Sequence, residues 1–138
     1  MIKDATFHHV GIASEDMTKT SEQYLAAGYN MSAVIYDKVQ QTNISFLYKE
    51  GSPLLELVEP EGDISPVRNI INKGGVTPYH FCYEVANLDD SIDQLRQKKY
   101  VLLVKPVEAI AFDGRKICFL FHKDIGLIEL LENEDSNG

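Results

Sequence analysis

Four residues that can bind a metal ion lie in apolar surroundings in this sequence. Glu56 lies in the stretch PLLELVEP, and Glu129 lies in the stretch GLIELLE. Both stretches have the Leu and Val content of a buried strand, where an isolated carboxylate must be paired, protonated or bound to a metal because its desolvation alone is costly. His9 and His80 each lie near the start of a further strand-like run. Imidazole and carboxylate together predict a metal site.

The spacing of these residues strengthens that prediction. His9 and His80 are 71 positions apart, and Glu56 and Glu129 are 73 apart. A single His or Glu in a strand is more often structural than functional, but a repeated placement favours function. Two copies of one unit, related by approximate twofold symmetry, would bring both imidazoles and both carboxylates to one centre. Such donors suit one divalent ion of Zn, Ni, Co or Mn, and the two carboxylates balance its charge.

The elements that position these residues are predicted twice, as a strand, a helix and then three strands. In the first copy Asp16 caps a helix whose Met17, Tyr24 and Leu25 share one face. In the second copy Leu88, Ile92 and Leu95 lie at helical spacing, and the elements follow in the same order. The first copy has strands at 8–14, 31–36, 44–49 and 54–58 around a helix at 16–27; the second has strands at 79–85, 102–107, 116–121 and 127–131 around a helix at 89–98.

The whole chain is predicted as one α+β domain over residues 1–138. Module one covers about 7–60 and module two about 78–132. Between them, Ser65 as cap and Pro66 in the first turn predict a linker helix over about 65–73. Glu59 and Glu132 also recur, but they are predicted on the opposite face of their strands, at a solvated rim.

Length and composition exclude several classes of protein. The 138 residues are 44% hydrophobic and 25% charged, which is typical of one globular domain. A net charge of −8 opposes phosphate neutralisation, so nucleic acid is not expected as a partner. No apolar run approaches the ~20 residues of a membrane helix and no signal peptide is apparent, so no membrane partner and a cytoplasmic location are expected. Cys82 and Cys118 are predicted as buried reduced thiols.

The motifs HHVGIA, LLELVEP, YHFCYEV, GRKICFLFH and GLIELLE resemble the vicinal oxygen chelate superfamily, from His9 to Glu132. The resemblance implies the glyoxalase/bleomycin resistance/dioxygenase fold, in which two paired βαβββ modules enclose one divalent metal ion. The four family ligands match His9, Glu56, His80 and Glu129 one by one. Within the superfamily, the sequence is most similar to glyoxalase-like proteins (lactoylglutathione lyase) and methylmalonyl-CoA epimerases.

This resemblance implies an enzyme, a metal-dependent lyase or epimerase that abstracts a proton next to a carbonyl through a metal-stabilised enediolate or enolate. The expected substrate is a thiol hemithioacetal or an acyl-CoA, with Glu129 as the first candidate for the catalytic base and Glu56 as the second. Some epimerases carry a further catalytic Glu in the third strand, where this sequence has Asn43 and Ser45.

Several alternatives stay open at this point. The chain could instead be a non-catalytic small-molecule or drug-binding module on the same fold. Arg68, Arg115 and Lys116 could meet a substrate anion, although a solvated surface is the favoured role of each. A homodimer is expected from exposed strand edges and from the family, and the site could close within one chain or across that dimer.

Overall fold

The computed structural model describes residues 1–63 and 65–134, which form nine strands and three α helices. The chain divides into two compact units. The first unit comprises residues 9–79, and the second unit comprises residues 1–8 together with the chain from residue 80 onward. The single domain predicted over residues 1–138 stays a prediction, and its residues 64 and 135–138 lie outside the described part.

The first unit contains one βαβββ module, whose second strand is split in two, and a further helix. Its strands are hydrogen-bonded in the order β2-β4-β5-β1, with β3 also paired to β4. The strand β5 runs parallel to β1, and β4 runs antiparallel to β5. The elements are β1 (Thr6–Ala13), α1 (Met17–Ala26), β2 (Asn30–Met31), β3 (Ile35–Asp37), β4 (Thr42–Tyr48), β5 (Leu55–Pro60) and α2 (Pro66–Gly74).

The second unit repeats this plan with one strand in place of β2 and β3. Its strands are ordered β6-β9-β8-β7, with β9 parallel to β6 and β8 antiparallel to both of its neighbours. The elements are β6 (Thr77–Val85), α3 (Leu88–Gln97), β7 (Val101–Glu108), a 3-10 turn (Ile110–Phe112), β8 (Lys116–His122) and β9 (Gly126–Glu132).

Each helix packs on its own cluster of buried side chains. Burying one Leu, Ile or Val side chain contributes about 1.5–3 kcal/mol, so these clusters stabilise each unit. Helix α2 lies over Val58, which shares a face of β5 with Glu56 because alternate residues of a strand point the same way. The cluster under α1 contains Ile12, Met17, Leu47, Leu55 and Leu57, that under α2 contains Ala13, Val58, Val67 and Ile71, and that under α3 includes Val85, Leu88, Ile92, Leu95, Leu120 and Leu130.

The helix starts agree with the capping residues seen in the sequence. The Asp16 carboxylate accepts a hydrogen bond from the Lys19 amide at 3.1 Å, and Ser65 caps α2. An N-cap of this kind is worth about 1 kcal/mol. The face of α1 that carries Met17, Tyr24 and Leu25 is buried only in part, because Met17 is buried while Leu25 is 44% exposed.

The predicted strand at 31–36 is interrupted in the structure. The Ser32 hydroxyl accepts a hydrogen bond from the Phe46 amide at 2.8 Å, and the Ser45 hydroxyl donates to the Ser32 carbonyl at 2.8 Å. These side-chain bonds replace part of the regular strand ladder. The chain therefore forms the short strands β2 and β3 on either side of this point.

The N-terminal residues pack on the second unit. The Met1 ammonium donates a hydrogen bond to the Tyr100 hydroxyl at 2.9 Å, and the Lys98 ammonium donates to the Met1 carbonyl at 3.0 Å. Burial, and then the neighbouring Tyr83, raise the pKa of Tyr100. These contacts tie the start of the chain to residues about a hundred positions away. Among the described residues, no helix has both the length and the apolar character needed to cross a membrane.

Candidate metal centre

The first unit places His9 beside Glu56. Glu56 lies opposite Gly11 in the parallel pairing of β5 with β1, and His9 is two residues before Gly11 on the same face. The His9 Nε2 and Glu56 Oε1 atoms are 3.5 Å apart. His9 is 0% and Glu56 4% exposed, so both polar groups are removed from solvent.

The second unit places His80 beside Glu129 in the same way. Glu129 lies opposite Cys82 in the parallel pairing of β9 with β6, and His80 is two residues before Cys82. The His80 Nε2 and Glu129 Oε1 atoms are 3.2 Å apart, and both residues are buried. Each unit therefore contains one buried His–Glu pair, held by a parallel pair of strands.

Each of these pairs also has an aromatic neighbour that the sequence reasoning missed. The Phe46 ring is perpendicular to the His9 ring, at 77° and 6.1 Å between centroids. The Phe119 ring makes 86° with the His80 ring at 5.3 Å. The two phenylalanines are 73 positions apart, as the two glutamates are, so the spacing could have revealed them.

The separations within each pair fit two ligands of one divalent ion. A charge-assisted N–H···O bond is about 2.7–2.9 Å long, so 3.5 and 3.2 Å are too long for a tight ion pair. Two ligand atoms that each lie about 2.0–2.2 Å from one ion are about 3–3.5 Å apart. Imidazole nitrogen and carboxylate oxygen are also the donors expected for Zn, Ni, Co or Mn.

The three candidate anion-binding cations have different environments. The Arg115 guanidinium donates from Nη2 to Glu84 at 2.7 Å and from Nε to the Glu132 carbonyl at 2.8 Å, so its donors are engaged inside the second unit. Arg68 donates to the Gly62 carbonyl and contacts Glu15. Lys116 is exposed. Arg115 is therefore a partly buried structural cation, which differs from the solvated role favoured by the sequence.

Glu59 does not lie at a solvated rim. Its carboxylate accepts a hydrogen bond from the Met17 amide at the start of α1 at 2.7 Å. It also accepts one from the Asn43 side-chain amide at 3.0 Å, and Asn43 donates to Glu61 at 2.9 Å. Glu59 thus stabilises the beginning of a helix, and Asn43 connects two carboxylates in the strand where some epimerases carry a Glu.

The two cysteines are buried free thiols, as predicted. Cys118 lies opposite Leu130 in the pairing of β8 with β9. Burial raises the pKa of the Cys118 thiol to about 12, and the negative charge of Glu129 adds to this effect. A thiol with so high a pKa carries almost no thiolate at neutral pH, so Cys118 is not a nucleophile.

Two βαβββ modules that each contain a buried His–Glu pair define an α+β protein of duplicated architecture. Residues 8–119 match the family described as the Glyoxalase/Bleomycin resistance protein/Dioxygenase superfamily. The chain belongs to this superfamily.

Two relatives of this chain are named as epimerases. The human mitochondrial methylmalonyl-CoA epimerase is 31% identical over 130 residues, which cover 89% of this chain and 71% of that protein. The ethylmalonyl-CoA/methylmalonyl-CoA epimerase of Cereibacter sphaeroides is 28% identical over 129 residues, which cover 89% of this chain and 94% of that protein.

Solved structures agree with these relatives. The methylmalonyl-CoA epimerase of Mycobacterium tuberculosis has a TM-score of 0.82 at 25% identity, and the match covers 96% of this chain and 92% of that one. A variant of the Streptomyces coelicolor methylmalonyl-CoA epimerase, in complex with 2-nitronate-propionyl-CoA, has a TM-score of 0.81 at 26% identity and covers 95% and 99%.

The comparisons confirm the predicted superfamily, the α+β fold of βαβββ modules and an enzyme of the glyoxalase-like superfamily. The assignment of His9, Glu56, His80 and Glu129 as ligands, with Glu129 and Glu56 as catalytic residues, stays a prediction. Lactoylglutathione lyase activity, a homodimer and a cytoplasmic location also stay predictions.

Proposed function

We propose that this protein is a divalent-metal-dependent epimerase of a methylmalonyl-type acyl-CoA thioester, which moves the proton on the carbon between the two carbonyl groups. The buried His–Glu pair in each unit, with the atom separations of metal ligands, carries this proposal. The epimerase relatives support the choice of reaction and substrate class.

The residues proposed to hold one ion of Ni, Co, Zn or Mn are His9, Glu56, His80 and Glu129. All four carry ligand atoms of the expected kinds and all four are buried. When bound, the ion supplies Lewis-acid charge that lowers the energy of the negative charge developing on the substrate carbonyl oxygens.

Glu129 is proposed as the base that removes the proton. A carboxylate acts as a general base only when it lies within hydrogen-bond reach of the proton it takes. Glu129 is 3% exposed, and its cross-strand partner on β8 is Phe119. Water is therefore largely excluded from this carboxylate. Exclusion of water strengthens the interaction of the carboxylate with the substrate and protects the deprotonated carbon.

Glu56 is proposed as the acid, which in its protonated form gives its own proton to the carbon while Glu129 keeps the proton that it removed. Removal of the proton leaves a planar carbon, and inversion requires that a proton arrive at the opposite face of that plane. A single base that returned its own proton to the same face would give exchange without epimerisation. A second buried carboxyl group can deliver the proton to this opposite face. Glu56 is such a group, because it is only 4% exposed.

The first experiment measures metal content and proton exchange together. The protein is purified without added metal and analysed by mass spectrometry beside a His9→Ala/Glu129→Ala variant. Each protein is then incubated in D₂O with one epimer of methylmalonyl-CoA, and deuterium at the exchanging carbon is followed by NMR. Glu108→Gln is the control, because Glu108 is an exposed acid on β7.

The expected result is about one divalent ion per chain, lost in the double variant, with deuterium incorporation by the wild type and the control. Exchange with a thiol hemithioacetal but not with the acyl-CoA would instead identify a lyase. Failure to bind Ni, Co, Zn or Mn would contradict the proposal and leave a non-catalytic binding module on the same fold.

A further inference from the structure

We propose that Phe46 and Phe119 are positioning residues, which hold the imidazole rings of His9 and His80 so that each Nε2 faces the glutamate of its own unit. This inference rests on the proposed metal-binding function, because it concerns the orientation of two proposed ligands. It assigns a role to two side chains outside the predicted ligand set.

The strand order places each phenylalanine across the glutamate from its histidine. In the second unit His80 lies on β6, Glu129 on β9 and Phe119 on β8, and these three strands are adjacent in the sheet. Phe119 is the direct cross-strand partner of Glu129. Its ring nevertheless reaches the imidazole, with the centroids 5.3 Å apart. One aromatic side chain therefore flanks the carboxylate and contacts the imidazole.

The first unit contains the same arrangement on β1, β5 and β4. Phe46 is the direct cross-strand partner of Glu56. Its ring lies perpendicular to that of His9, with 6.1 Å between the centroids. Because the arrangement occurs in both copies at one spacing, it is a property of the duplicated unit and not an accident of packing in one of them.

The perpendicular contact between the two rings restricts the orientation of the imidazole. The outer side-chain torsion of a histidine has a broad energy profile, so an unsupported ring can tilt out of one plane and move its Nε2 away from the carboxylate. An edge-to-face contact at 4.5–7 Å favours one ring plane, because the positive edge of one ring meets the negative face of the other. In both units the nitrogen nearest the carboxylate is Nε2.

Neighbouring residues offer matched controls. Tyr48 and Phe121 lie two positions after Phe46 and Phe119, on the same strands and the same faces, but they are 49% and 42% exposed. Neither makes a ring contact with a histidine among the described residues. Leu120 is a control for lost stability, because it is on β8 but buried in the cluster under α3.

The test compares Phe46→Leu and Phe119→Leu with Tyr48→Leu, Phe121→Leu and Leu120→Ala. The dissociation constant for Co²⁺ is measured by absorption titration, and the metal-free proteins are compared by NMR of the histidine ring protons. The phenylalanine variants are expected to bind Co²⁺ about tenfold more weakly, as for other residues that orient metal ligands. The controls should stay within about threefold of the wild type, and Phe46→Tyr should restore binding because it keeps the ring.

The NMR measurement tests this proposal independently of metal binding. If the wild type binds no Co²⁺, the proposed function fails, but loss of ring order at His80 in Phe119→Leu would still support the positioning role. Unchanged histidine ring signals in both phenylalanine variants would overturn it. So would an equal loss of Co²⁺ affinity in Leu120→Ala, because the effect would then follow stability and not ring contact.

Discussion

The two copies of the βαβββ module keep the same pair of buried ligand-type residues but surround them differently. In the first unit the His9–Glu56 separation is 3.5 Å, and in the second unit the His80–Glu129 separation is 3.2 Å. Phe119 is 8% exposed, whereas Phe46 is only half-buried. The two pairs are equally buried, but the second unit holds its pair at a shorter separation and against a more buried aromatic ring.

The periphery of the two copies differs more than the pairs do. In the first unit the Glu59 carboxylate binds the first amide of α1. Glu132 occupies the corresponding position of the second unit, yet within residues 1–63 and 65–134 its carboxylate makes no hydrogen bond to α3, which Asn87 caps instead. The partly buried cation Arg115 has no counterpart in the first copy, where Thr42 occupies the corresponding position. Features away from the pairs have thus diverged.

The largest expected difference between the copies is in catalysis. Glu129→Gln is expected to lower proton exchange at the acyl-CoA by about 10²–10⁴-fold, because it removes the proposed base. Glu56→Gln should lower the rate of epimerisation, but it should retain more deuterium exchange at one substrate epimer than Glu129→Gln does. The two rates are measured separately, by deuterium incorporation and by circular dichroism of the product. Equal exchange rates in Glu129→Gln and the wild type, with metal retained, would contradict the assignment.

The next largest effect is expected on the stability of the second unit. Arg115→Met should lower the free energy of unfolding by about 2–3 kcal/mol, because it leaves Glu84 and the Glu132 carbonyl without their charge-assisted partner. Urea denaturation measures this change. Arg68→Met serves as the comparison, since its longer contacts with Gly62 and Glu15 at the surface predict a loss below about 1 kcal/mol. Similar losses in both variants would show that Arg115 has no special structural role.

A smaller effect separates Glu59 from Glu132, which occupies the corresponding position of the second unit. Glu59→Gln should lower the free energy of unfolding by about 1.5 kcal/mol, because the bond from the Met17 amide loses its charged acceptor. Glu132→Gln should change it by less than about 0.5 kcal/mol. Thermal unfolding of the metal-free proteins checks both values. An equal effect at the two positions would mean that α1 does not depend on Glu59.

The smallest effect concerns Cys118, whose counterpart in the first unit is Ser45. Burial places the folded-state pKa of Cys118, about 12, above the ordinary thiol value of 9.0, so the unfolded chain loses its proton first as the pH rises. This group leaves stability unchanged below pH 9 and lowers it progressively between pH 9 and 12, by about 1 kcal/mol at pH 10. Urea denaturation at pH 8 and pH 10 should show this loss in the wild type. Cys118→Ala should lack that part of the pH dependence.

The sequence predicted the strands that carry the four buried residues because alternation and a repeated spacing are local signals. The His9 and Glu56 positions, and their copies, could be read in this way without knowledge of any contact. The strand predicted at 31–36 failed because the bonds of Ser32 to Phe46 and Ser45 come from another part of the chain. Phe46 was overlooked because an aromatic residue in an apolar strand has an ordinary packing role in most proteins.

The sequence by itself determined the duplication, the order of elements, the helix caps and the identity of the buried histidines and glutamates. These follow from side-chain chemistry and from periods of two and 3.6 residues, which need no tertiary contact. Only the tertiary structure decided that His80 lies 3.2 Å from Glu129, that Phe119 stands against the imidazole and that Arg115 is bound to Glu84. Each of these depends on the register between strands, and register is set by the packing of whole faces and not by any one residue.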